Sequence, residues 1–210
     1  MSADFHKPTK FSTDKFESYE SGNDPATILR IAHDTAHSLV DRVRDNPEPD
    51  IVERLVEYTD THGIDALAEL WARSSPRSLP GALWRIYLLR VLINQDPEGT
   101  STLFQRGSDV MTTIDPLVAG ASMPTGPAEI RDLADEILRG VFRGDFAVAL
   151  DRAAAFCRVA GAGAASIADD SDATAAPERA SELTGRALRY DTTAAELTAC
   201  ARLWRRGELD

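Results

Sequence analysis

The nearest approach to a chemical motif in this chain is a pair of histidines. His33 and His37, in the run His-Asp-Thr-Ala-His, are four residues apart and share one face if the segment is helical. That spacing lets two imidazoles hold one divalent ion, as in the HExxH zinc motif. Glu57, twenty residues beyond His37, stands where one class of such sites takes its third ligand. A helical metal-dependent hydrolase built on His33, His37 and Glu57 is therefore one reading of the chain.

The local chemistry weighs against that reading. The zinc motif uses Glu as general base where this chain has Asp34, a side chain one methylene shorter. The same string contains the His-Asp pair of HD-type phosphohydrolases, which need a further histidine upstream on a helix; only His6, in a polar stretch, is upstream here. With the apolar face of the helix near Ile28, Ala32 and Leu39, His33 lies about 100° and His37 about 140° around the helix from Ala32. Metal sites in helical bundles are built from residues that project inward. A solvated flank shared with Arg30 and Arg44 is the expectation.

The second candidate set lies in the stretch Leu79 to Asn94. Between Leu83 and Ile93 only Arg85 and Arg90 are charged, and the other nine residues are apolar or aromatic. The two arginines are about 140° apart around a helix and cannot form one tight anion clamp. A buried guanidinium needs a partner, because an unpaired charge in a core costs several kcal/mol. Each is expected to meet a carboxylate of a neighbouring helix, for instance that bearing Glu129, Asp132, Asp135 and Glu136. The alternative is a pocket for an anionic small molecule lined by Arg85 or Arg90 with Trp84. No glycine-rich phosphate loop, nucleophile elbow or cysteine–histidine pair is present, so no cofactor is expected and no catalytic residue is assigned.

Composition narrows the partners. The net charge of −11 opposes nucleic acid and anionic membrane surfaces, both of which attract basic proteins. With 43% hydrophobic residues the 210-residue chain can bury a core. The absence of an apolar leader or membrane-length run predicts a cytoplasmic location. Cys157 and Cys200 have no metal-ligand spacing and read as reduced core thiols.

Helical signals organise the chain. Residues 1–23 read either as a poorly ordered terminus or as a polar arm whose aromatics, Phe5, Phe11, Phe16 and Tyr19, dock on the body or on a second subunit. Asp24-Pro25 is a helix start, and the apolar spacing then predicts an amphipathic helix to about Arg44. Further helices are predicted over about 49–61 and 65–73. The stretch 79–94 is apolar all round, which predicts a helix wrapped by others on every side. Asp96-Pro97 opens a shorter helix, and 112–127 is an ordered connection between an N-terminal half, 24–111, and a C-terminal half, 128–210.

The second half begins with a helix from Pro127 whose apolar face carries Ile130, Leu133, Ala134, Ile137, Leu138 and Val141. Another is predicted from Phe146 to about Ala160. The Gly, Ala, Ser and Asp residues of 161–176 predict a mobile loop. Pro177 opens one further helix, and Thr193 to Glu196 reads as a capping box that opens the last. No stretch alternates as a strand would.

Three segments, Leu79 to Arg90, Gly144 to Cys157 and Leu203 to Leu209, resemble a family of uncharacterised actinobacterial all-helical proteins. The resemblance implies a helical fold from about Asp24 onward and no particular activity. The expectation is an all-α bundle of about eight helices around a buried central helix. The leading functional expectation is a non-catalytic interaction or regulatory protein, with a protein partner or a second copy of itself. A small-ligand-binding domain and the metal-dependent hydrolase are the alternatives.

Overall fold

The computed structural model describes residues 25–45, 70–120, 126–143, 145–173 and 176–210. Among these residues there are seven helices and no strand. They are α1 (Pro25–Asp45), α2 (Leu79–Gln95), α3 (Pro97–Val110), α4 (Asp115–Ala119), α5 (Pro127–Arg143), α6 (Phe146–Ala173) and α7 (Pro177–Arg205). The arm of residues 1–23, the predicted helix 49–61 and most of that at 65–73 lie outside the described residues; residues 70–72 of the latter are helical. The fold is all-α.

Local sequence sets most helix starts. Ser78 accepts a hydrogen bond from the Gly81 N–H, with Pro80 in the first turn of α2. Asp96 both ends α2, where its N–H donates to the Leu92 carbonyl, and opens α3, where its carboxylate accepts from the Gly99 N–H at 2.9 Å. One aspartate followed by proline thus makes the corner between two helices.

A single apolar interior runs from Ala32 to Leu209, so residues from both halves of the chain share it. Two helices lie at its centre. α2 packs against α1, α3, α5, α6 and α7, while α6 packs against α2, α3, α4, α5 and α7. α6 is the more enclosed: Phe146, Leu150 and Phe156 are wholly buried. Phe156 stacks on Phe104 of α3 at 5.2 Å between centroids, and Phe146 meets the edge of Trp204 at 4.7 Å.

Four expectations are corrected by the tertiary structure. Residues 161–173, predicted as loop, continue α6 to 28 residues, about 42 Å. The small residues there serve close packing. A Cβ on Gly163 would lie 1.8 Å from the Leu103 carbonyl oxygen, and one on Gly107 would lie 1.8 Å from that of Val159. The backbones of α3 and α6 therefore cross in direct contact.

The capping box at Thr193 lies within α7, which is continuous. The Thr193 hydroxyl donates to the Arg189 carbonyl one turn back at 2.8 Å, and Glu196 turns to Arg85. A hydroxyl satisfied by its own helix leaves no cap to break it.

On α1 the buried stripe is Ala32, Ala36 and Val40, and Ile31 is exposed. Relative to the predicted face this is a rotation of about 60° toward the histidines.

The outer side of α2 also departs from the pattern. Ile86, Leu89, Arg90 and Ile93 are buried, but Leu88 and Leu92 remain 37% and 44% exposed. The helix is central, yet its enclosure is one-sided.

Candidate functional site

The histidines meet a group far away in the chain. α7 ends at Arg205, with Arg206 as its C-cap, and Gly207, at φ +68°, turns the backbone. The Gly207 and Glu208 N–H groups donate to the carbonyls of Trp204 and Leu203, a pattern that satisfies the last turn of the helix. Glycine is suited to that turn because it has no Cβ to clash at positive φ.

The chain then folds back over the body. Leu209 is buried in the common interior. The Leu79 N–H at the start of α2 donates to the Asp210 backbone oxygen at 2.8 Å. Asp210 Oδ1 thereby stands 3.3 Å from His37 Nε2 and 3.8 Å from His33 Nδ1.

This arrangement ties α1, α2 and the segment after α7 together. Because the buried face of α1 is rotated toward them, His33 and His37 sit at its margin, half-buried, instead of on a fully solvated flank. Among the described residues no three His, Cys, Asp or Glu side chains are grouped to hold a metal ion. Glu57 lies outside the described residues. Asp210 is 173 residues from His37, so no local pattern could have paired them.

Both central arginines are committed to carboxylates. Arg90 Nε donates to Asp135 Oδ1 at 2.6 Å, with the arginine side chain only 7% exposed. Asp135 belongs to the acidic helix from which such a partner is expected. Arg85 donates to Glu196 of α7 and to the Gly81 carbonyl. Trp84 lies beside Tyr87, at 6.0 Å between centroids. The tryptophans do not converge: Trp71 donates to the Thr35 hydroxyl on α1, and Trp204 packs on Phe146.

One flank of α2 carries no signal in the sequence. At about 100° per residue, Trp84, Leu88, Val91 and Leu92 fall within roughly 100° of one another, opposite the buried face of Ile86, Leu89 and Ile93. Leu88 and Leu92 are exposed, Trp84 and Val91 half-buried. A helix apolar on both sides has no polar residue to mark which side faces out, so periodicity alone gave no signal for it.

Elsewhere, charges on α4, α6 and α7 are knit within the fold. Arg158 donates through Nε to Asp115 at 2.8 Å and through Nη1 to the Thr198 hydroxyl. Burial draws the Asp115 carboxyl upward, but hydrogen bonds from Arg158 and Thr113 outweigh it and hold the group below its ordinary value. Cys157 and Cys200 are free and buried. Burial pushes their thiols up, to about 12 and about 11 respectively.

No helix among the described residues is long and apolar enough to cross a membrane. Comparison of the chain with protein-family models, curated proteins and solved structures finds no match.

Proposed function

We propose that this is a non-catalytic interaction or regulatory protein that associates with a second copy of itself through the outer flank of α2. The observation that carries the reading is the uncharged stripe of Trp84, Leu88, Val91 and Leu92 on a chain of net charge −11. Contiguous exposed apolar surface marks interaction sites. In a two-fold contact the same patch meets itself, so a strongly acidic surface would repel its own copy. An uncharged helix flank escapes that penalty. The arm with Phe5, Phe11, Phe16 and Tyr19 contributes further contacts in this reading, which also places the protein in the cytoplasm.

The other two readings have less support. Arg85 and Arg90, which an anionic ligand would need, already hold Glu196 and Asp135. A hydrolase using His33 and His37 has no assembled set of ligands among the described residues.

Light scattering across a concentration series tests the proposal. The 22.8 kDa chain should report about twice its mass at high concentration. A Leu88→Asp/Leu92→Asp variant, checked for helical content and melting, should stay folded and report a single chain. A wild-type protein that remains monomeric throughout, or a folded variant that associates as before, would overturn it.

A further inference from the structure

We draw no further inference here: the strongest candidate, the side-chain cluster where His33 and His37 of α1 approach Asp210 beyond α7, belongs to the site already described and assembles no set of donors among the described residues that could hold a metal ion.

Discussion

Leu88 and Leu89 are adjacent and chemically identical but about 100° apart around α2, one on its exposed flank and one on its buried face, so truncating each to alanine measures how one-sided that helix is. Leu89 is 5% exposed. Leu89→Ala removes three carbons from the interior, a transfer loss of about 2.4 kcal/mol at roughly 0.8 kcal/mol per methylene. The cavity left behind adds to that loss, so the expected total is about 3–4 kcal/mol. Leu88 is already 37% exposed. Solvent can fill the space its side chain vacates, so Leu88→Ala should cost about 1 kcal/mol.

Urea denaturation followed by tryptophan fluorescence reads both as midpoint shifts at constant slope. The protein should be dilute, because association would add stability through Leu88 that is not intrinsic to the fold. Equal losses for the two variants would refute the two-faced description of α2. They would mean that the outer flank is enclosed as fully as the inner one.

Four further outcomes follow from the packing. Gly163→Ala should lower stability by about 1–3 kcal/mol in the same denaturation assay, because the new methyl meets the Leu103 carbonyl. Gly185→Ala, whose nearest neighbour would be the flexible tip of Arg189 at 3.5 Å, should instead raise it by about 0.5–1 kcal/mol through helix propensity. Asp115→Asn should destabilise at neutral pH. Because the folded carboxyl titrates below its ordinary 3.8, the wild-type advantage is full above that value and fades as pH falls through the lowered one; an advantage that persists at still lower pH in acid melts would contradict this. Cys157 and Cys200 should resist a thiol reagent at neutral pH until denaturant is added, since burial keeps both protonated and inaccessible; stoichiometric labelling of native protein would be the contrary result.

Much of the local structure was legible in the chain because its causes lie within a few residues. Pro80, Pro97, Pro127 and Pro177 stand in first turns, and Asp96 caps the helix that follows it. The apolar spacing of residues 130–141 marks the face of α5 that is buried. The need for partners at Arg85 and Arg90 was equally plain, because a guanidinium in an apolar helix must be compensated.

Other features were not, because they depend on residues brought close only by folding. The run Gly161-Ala-Gly-Ala-Ala-Ser has the composition of a loop. It is nonetheless helical, and its residues are small because α3 crosses so closely at Gly107 and Gly163 that larger ones would not fit. Thr193 to Glu196 has the spacing of a cap, yet Glu196 is drawn to Arg85 and α7 runs on.

What the sequence determined alone is therefore the helical class, most of the helix starts and the requirement for charge compensation, all consequences of backbone preference and desolvation at single residues. Tertiary packing decided which carboxylate answers each arginine, which side of α2 faces outward and that His33 and His37 meet Asp210. Those choices rest on contacts across as many as 173 residues, which periodicity within one helix cannot encode.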